Sequence, residues 1–163
     1  MAKSEETVNK KTVIMSGSLW EPLRGFSRAV VVGGNMYISG TTATDEKGEV
    51  IYPYDPYGQT KYILTLIKQI LAQSGFAIGD VVRTRLYVAN MQRWDDYARA
   101  HREVFDTIKP ASSIIQVARL MDPRLMVEVE VEAIKGVGAY EVDVKNLKRP
   151  TAPILKKNEV VAN

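Results

Sequence analysis

Cysteine is absent from this chain of 163 residues, and histidine occurs once, at His101. Without cysteine there are no disulfides, thiolate metal ligands or thiol nucleophiles. One histidine without cysteine does not make the usual zinc sites, and no Ser–His–Asp set can be recognised. Gly33 and Gly34 open no predicted helix, so they do not form a phosphate-binding loop. These absences argue against metal, thiol and nucleotide chemistry.

Long apolar runs are also missing, and none has the length of a membrane span. The first residues, Met-Ala-Lys-Ser-Glu-Glu, precede no hydrophobic stretch of the kind found in secretory signals. We therefore expect a cytoplasmic protein with no membrane partner. The 45% of apolar residues can bury a core, and the length fits one domain.

Formal charge is weak at +3, and a local basic excess occurs only near the C-terminus. It consists of Lys145, Lys148, Arg149, Lys156 and Lys157. Such a segment can contact nucleic acid, but a solvated tail is the favoured interpretation, so nucleic acid is not an expected partner. We predict a flexible N-terminus at 1–10, one domain at 11–135 and a C-terminal extension at 136–163.

Hydrophobic periodicity predicts strands interleaved with two helices. The expected strands are 12–15, 29–32, 35–39, 81–88, 113–120 and 127–134, with one further short strand at 139–144. A loop is expected at 17–25. One helix is predicted at 57–74, and a second follows the N-cap Asn90 and ends before Pro110. The apolar stripe of the second helix comprises Trp94, Tyr97, Ala98, His101 and Phe105, which makes His101 a packed, hydrogen-bonded residue.

Residues 127–132 alternate valine with glutamate, which is typical of a strand with one buried face. In strand 81–88, Val82, Leu86 and Val88 should share a face, opposite to Arg83, Arg85 and Tyr87. The pattern predicts an α+β two-layer sandwich whose mixed β-sheet carries both helices on one face. The other face would be charged. We expect two of the three glutamates to pair with Arg83 and Arg85, leaving one for acid–base chemistry, and subunits to assemble around this face.

Four segments resemble the RidA/YjgF family, once called translation initiation inhibitors. They are Gly34-Asn35-Met36-Tyr37-Ile38-Ser39-Gly40, Gly79 to Val88, Pro110-Ala111 with Val117-Ala118-Arg119-Leu120, and Val127-Glu128-Val129-Glu130. Together they cover roughly residues 14–135 in the family's order. The segments Gly17 to Pro22 and Gly25 to Arg28 also resemble a branch of the family whose members commonly lack its arginine.

This resemblance implies a chorismate-mutase-like fold and a homotrimer with small-molecule clefts lined by two neighbouring subunits. In the best-known branch, these clefts hydrolyse reactive enamines and imines to a 2-oxo acid and ammonia, without any cofactor. The expected function is therefore cofactor-independent hydrolytic deamination of reactive enamines or imines, or of a related small-molecule substrate. The alternative is a non-catalytic homotrimer that binds a small molecule.

The family's functional positions are kept only in part. Its cleft serine corresponds to Ser39, and its water-orienting acid corresponds to Glu128, with Glu130 as a rival. Its cleft tyrosine falls at Phe26. Its carboxylate-binding arginine falls at Ser112 and its cysteine at Ile114, so the bidentate contact is lost.

Another arginine must reach the cleft if the substrate is anionic, and Arg119 and Arg28 are the candidates. The predicted site therefore has Glu128 as catalytic residue. The predicted substrate-binding residues are Phe26, Ser39, Ser112, Ile114 and Arg119.

Overall fold

The computed structural model describes residues 10–139, 141–142 and 145. The strands are β1 (Thr12–Ile14), β2 (Ala29–Val32), β3 (Asn35–Thr42), β4 (Val81–Val88), β5 (Ala111–Gln116) and β6 (Val127–Ile134). The helices are α1 (Trp20–Arg24), α2 (Pro56–Gln73) and α3 (Trp94–Phe105), with single 3₁₀ turns at Ile78–Asp80 and Met91–Arg93.

All six strands form one sheet in the order β1-β2-β3-β6-β4-β5. Neighbouring strands are antiparallel except β4 and β5, which are parallel. The strands expected at 29–32 and 35–39 form the β2–β3 hairpin: Gly33 and Gly34 between them have φ values of 55° and 80°, which glycine adopts without steric cost. The mixed sheet with helices on one face confirms the predicted α+β sandwich.

The core lies between the sheet and the two long helices. The stripe of α2 contributes Ile63, Leu64, Ile67 and Leu71, all at most 1% exposed. Below it, the valines of β6 are equally buried, at Val127, Val129 and Val131. The glutamates between these valines point to the opposite face, as the alternation predicted.

Several predicted details of the helices are wrong. The segment expected to be a loop at 17–25 contains α1, and Gly25 closes it in a left-handed conformation with φ 67°. Asn90 caps the 3₁₀ turn at Met91–Arg93, so α3 starts only at Trp94. Trp94, which was predicted to belong to the buried stripe of α3, is 59% exposed. Ala100, which lies outside the predicted stripe, is buried instead. The buried face of α3 is therefore rotated relative to the prediction.

Two strand predictions also need correction. The strand expected at 113–120 is β5, Ala111–Gln116, which begins directly after Pro110. Val82 does not share the buried face of β4, because the register with β6 shifts between Val81 and Arg83. This irregularity makes Val82 an additional residue and puts Val81 and Thr84 on the buried face.

The expected flexible N-terminus, at 1–10, lies outside the described residues except for Lys10. The same holds for most of the predicted extension. Of the short strand expected at 139–144, residues 139, 141 and 142 are described, and none of them lies in a strand. Among the described residues, no helix is long and apolar enough to cross a membrane.

Gln59 of α2 connects two loops through buried hydrogen bonds. Its Nε2 donates to the carbonyls of Tyr52 and Arg124, at 3.0 and 2.9 Å, and its Oε1 accepts from Met126 N at 2.7 Å. Tyr52 and Tyr54 have φ values of 51° and 61°, which are costly for residues other than glycine. The bonds to Gln59 therefore help to hold a strained loop beside the start of β6.

We predict that Gln59→Leu lowers the free energy of unfolding by about 2–4 kcal/mol, because two carbonyls and one N–H lose their buried partner. Denaturant unfolding measures this change. Gln69→Leu, at an exposed position of the same helix, is the matched control and should change stability by less than about 0.5 kcal/mol. Equal effects of the two substitutions would contradict the role assigned to Gln59.

Candidate functional site

A cavity of about 600 Å³ lies where α1 and the segment after it meet β3, β6 and one side of α2. Both charged and aromatic side chains reach it. Lining residues that bear on its chemistry are Trp20, Arg24, Phe26, Arg28, Gly40 and Glu128. Concave sites with a few converging polar groups on apolar walls are typical of small-molecule binding.

Glu21 fixes the segment that forms one wall of this cavity. Its side chain is 1% exposed, and its carboxylate accepts hydrogen bonds from the backbone N–H and the hydroxyl of Ser16. The same carboxylate lies 3.5 Å from Nε of Arg28. The buried charge is thus paired and hydrogen-bonded, which is the condition for keeping a carboxylate inside a protein.

Arg28 joins this wall to the sheet. Its Nη1 donates to the carbonyl of Gly40 at 3.0 Å and to the hydroxyl of Thr41 at 3.1 Å. The side chain is 11% exposed, and burial lowers the pKa of its guanidinium from the ordinary value. Arg28 therefore lies in the cavity wall, where the sequence expected an arginine, but its Nη1 and Nε already face protein acceptors.

Glu128 presents its carboxyl group to the cavity. It makes no hydrogen bond or ion pair with any other described residue, and burial, together with the nearby charge of Glu130, raises its pKa. Arg24 and Arg28 act in the opposite direction. A Cβ atom on Gly40 would overlap this carboxyl group, so the glycine provides the space in which Glu128 lies.

The other two glutamates of β6 are paired across the strand, as expected. Arg85 Nη1 lies 2.7 Å from Glu132 and 3.7 Å from Glu130, and Arg83 lies 3.6 Å from Glu132. The Tyr87 hydroxyl donates to Glu130 at 3.1 Å. Glu130, the rival of Glu128, is therefore engaged in this network and is not among the residues that line the cavity within the described chain.

Arg24 is a cavity residue that the sequence interpretation missed. Its guanidinium lies over the Phe26 ring, 4.9 Å from the centroid, in a cation–π arrangement. Within the described part of the chain it has no hydrogen bond or ion pair, in contrast to Arg28. The only local signal was its place in the last turn of a helix that the sequence did not predict.

The predicted site residues fall into two groups. Phe26 and Glu128 line the cavity, and Ser39 lies beside it, where its hydroxyl donates to the carbonyl of Ser27 at 2.8 Å. Ser112 and Ile114 lie on β5, at the far edge of the sheet, and Arg119 follows in an exposed segment. These three do not line the cavity that the described residues form, so one chain does not bring the two groups together.

Ser112 is nevertheless connected to the protein interior. Its Oγ lies 2.8 Å from the hydroxyl of Thr84, and that hydroxyl lies 2.9 Å from Nε2 of His101. Burial lowers the pKa of His101, whose ring packs against Phe105. His101 is thus the packed, hydrogen-bonded residue that the sequence predicted.

Comparison with protein families matches residues 15–135 to the family described as Endoribonuclease L-PSP. The chain belongs to this family, which is also known as YjgF/RidA. An uncharacterized protein of Streptomyces coelicolor is 40% identical over 76% of this chain and 91% of its own length. A RutC family protein of Pyrococcus horikoshii is 31% identical over 76% of this chain and 96% of its own length.

Solved structures show the same fold. A Mycobacterium tuberculosis member of the YjgF/YER057c/UK114 family is 36% identical, with a TM-score of 0.69 over 77% of this chain and 99% of its own. A Yersinia pestis protein of unknown function from the conserved Rid protein family is 27% identical, with a TM-score of 0.69 over the same shares of the two chains. The chorismate-mutase-like fold expected from the sequence is thereby confirmed.

We predict that Glu128→Gln raises the thermal unfolding temperature at pH 7.5 by a few degrees. A carboxyl group whose pKa is raised by folding destabilises the folded state once pH exceeds the unfolded pKa, and the cost is complete above the folded pKa. Below the unfolded pKa, near pH 3.5, the two proteins should unfold alike. Thermal scans at both pH values test this expectation, and destabilisation at pH 7.5 would contradict it.

Proposed function

We propose that the protein hydrolyses reactive enamines or imines to the carbonyl compound and ammonia, without a cofactor, in a cleft completed by a second copy of the chain. The observation behind this proposal is the Glu128 carboxyl group, which has a raised pKa, makes no hydrogen bond or ion pair within the described chain, and faces the same cavity as Arg24. A titratable group of this kind in a cleft is typical of an acid–base residue.

Glu128 would act on a water molecule. The carboxylate takes a proton from the water as its oxygen forms a bond to the imine carbon, and the electrons of the C=N bond move to nitrogen. Glu128 then returns this proton to the nitrogen, which gives a carbinolamine. It next takes the proton of the carbinolamine hydroxyl and passes it to the nitrogen, so that the C=O bond forms as the C–N bond breaks, and the carbonyl compound and ammonia leave. A raised pKa favours both transfers near neutral pH, because the group can be base and acid in turn.

Arg24 would supply the positive charge that the family's arginine provides elsewhere. Its guanidinium is unpaired within the described chain and rests on Phe26, so it can bind a carboxylate beside Glu128 without giving up a protein contact. Phe26 has lost the family's hydroxyl but provides the aromatic face. This arrangement favours an anionic 2-imino acid as substrate.

A neighbouring subunit would bring Ser112 and Ile114 to the cavity. All six residues of β5 are exposed, and Ile114 and Ile115 are 39% and 46% exposed. The charged sheet face offers a second surface for the same assembly. Sedimentation equilibrium should therefore give the mass of a trimer, and a monomer at micromolar concentration would contradict the shared cleft.

The first experiment compares imine hydrolysis by the wild type and by Glu128→Gln. An amino-acid oxidase generates the imines in place, and semicarbazide traps those that survive. We expect the substitution to lower kcat at least about a hundredfold, because it removes the acid–base group. Glu103→Gln, on the outer face of α3, is the matched control and should retain full activity. No hydrolysis by a folded wild type would contradict the proposal.

We predict that Arg24→Gln raises KM for an anionic imine about ten- to a hundredfold with a smaller change in kcat, because a charged hydrogen bond to the substrate is lost. Steady-state kinetics measure the split. Arg102→Gln, an exposed arginine of α3, should leave both constants unchanged. An unchanged KM for Arg24→Gln would show that the substrate is bound through other groups.

Non-catalytic binding of a small molecule remains the second candidate. Ser112 and Phe26 favour it, because they lack the charge and the hydroxyl of the family's deaminase cleft. It predicts that a bound ligand raises the unfolding temperature of the wild type without turnover. Turnover that depends on Glu128 would decide against it.

A further inference from the structure

Helix α2 carries a second apolar face beside its buried stripe. The stripe packed against the sheet consists of Ile63, Leu64, Ile67 and Leu71. Next to it runs a row of half-buried side chains at four-residue spacing, formed by Tyr62, Leu66 and Ile70. All three line the cavity that also contains Arg24 and Glu128. The helix therefore presents one apolar face to the core and another to the candidate site.

Leu66 shows that this second face serves more than the core. Tyr62 and Ile70 also pack against the core, whereas Leu66 does not belong to the core cluster of the described residues. The same cavity exposes two further large apolar side chains, since Trp20 is 40% and Met121 is 66% exposed. Apolar surface that lines a cavity and stays in contact with water favours the binding of an apolar group, which removes that surface from water.

Positive charge lies near Glu128 and negative charge lies near Tyr62, although both residues line one cavity. Burial raises the pKa of Glu128, and the nearby Arg24 acts in the opposite direction. Burial also raises the pKa of Tyr62, and there the carboxylates of Asp45 and Glu46 raise it further. A carboxylate of the ligand is therefore attracted by Arg24 and repelled beside Tyr62. This difference orients a 2-imino acid with its side chain towards α2.

We propose that the α2 face formed by Tyr62, Leu66 and Ile70 binds a large apolar side chain of the substrate, with Leu66 as the specificity-determining residue. The site then prefers 2-imino acids with long or aromatic side chains to the imine derived from alanine. The volume of the cavity, about 600 Å³, is typical of sites for ligands much larger than that imine. The choice of a 2-imino acid rests on the proposed function.

Binding of 2-oxo acids, the products of the proposed reaction, tests the apolar face without turnover. We expect the affinity measured by titration calorimetry to rise about three- to fourfold with each methylene added between pyruvate and 2-oxohexanoate, because each one leaves water. The second carboxylate of 2-oxoglutarate should make its binding about tenfold weaker than that of 2-oxohexanoate. An affinity independent of chain length, or no binding of any of these acids, would overturn the proposal.

Substitution of Leu66 tests which residue sets the preference. We expect Leu66→Gln to weaken the binding of 2-oxohexanoate about five- to tenfold and to leave pyruvate unchanged. Leu66→Ala, which introduces no polar group, should weaken 2-oxohexanoate about threefold. Leu23→Gln is the matched control, because Leu23 is 74% exposed on α1 and does not line the cavity that the described residues form. Equal effects of Leu66→Gln on both acids would overturn the assignment. Thermal unfolding checks the folding of each variant.

The two proposals fail in different ways. In turnover, kcat/KM should be about tenfold higher for the imine derived from norleucine than for the imine derived from alanine. If the 2-oxo acids bind with a dependence on length that requires Leu66, but no imine is hydrolysed, the deaminase function is wrong and the apolar subsite stands. If imines are hydrolysed with equal kcat/KM whatever the length of the side chain, the apolar subsite is wrong and the function stands.

Discussion

The alternation along β6 is the constraint on which the rest of the structure depends. β6 lies between β3 and β4 and pairs with both, so most of its residues have a cross-strand neighbour on each side. Its valines form the floor of the core beneath α2. Its glutamates must then occupy the opposite face, because side chains alternate along a strand. Burial of the valines on one face of β6 thus places its glutamates on the opposite face.

The three glutamates differ because their cross-strand neighbours differ. Glu130 and Glu132 lie opposite Arg85 and Arg83, which neutralise them. Glu128 lies opposite Tyr87 on one side and Thr42 on the other, so neither neighbour carries a positive charge. Its surroundings are the buried end of the strand and the space above Gly40. The row of charged pairs on this face of the sheet therefore ends at Glu128, whose carboxyl group has no positively charged cross-strand neighbour.

The segment around α1 becomes part of the site through a second buried charge. Glu21 pairs with Arg28, and Arg28 donates to Gly40 and Thr41 on β3. These contacts hold Phe26 and Arg24 over the same part of the sheet as Glu128. The two arginines consequently differ, since Arg28 is hydrogen-bonded to β3, whereas the Arg24 guanidinium makes no hydrogen bond or ion pair with another described residue.

The sequence by itself determined the elements with strong periodicity and the family. The strand at 127–134 and the strand at 81–88 are found with the predicted bounds, and the helix predicted at 57–74 is found within one residue at each end. These segments follow from local patterns, because one buried face requires an apolar residue at every second position of a strand and at every third or fourth position of a helix. The cross-strand pairing of two glutamates followed from the same alternation.

Only the tertiary structure decided which residues share the cavity. Nothing local distinguishes Arg24 from Arg28, because the difference lies in acceptors on β3 that are distant in sequence. The displacement of Val82 and the exposure of Trp94 likewise depend on the register of neighbouring strands and on how a helix rotates against the sheet. Long-range contacts of this kind leave no periodic signal, and for that reason the sequence indicated the scaffold and named Glu128 as a candidate but did not point to Arg24.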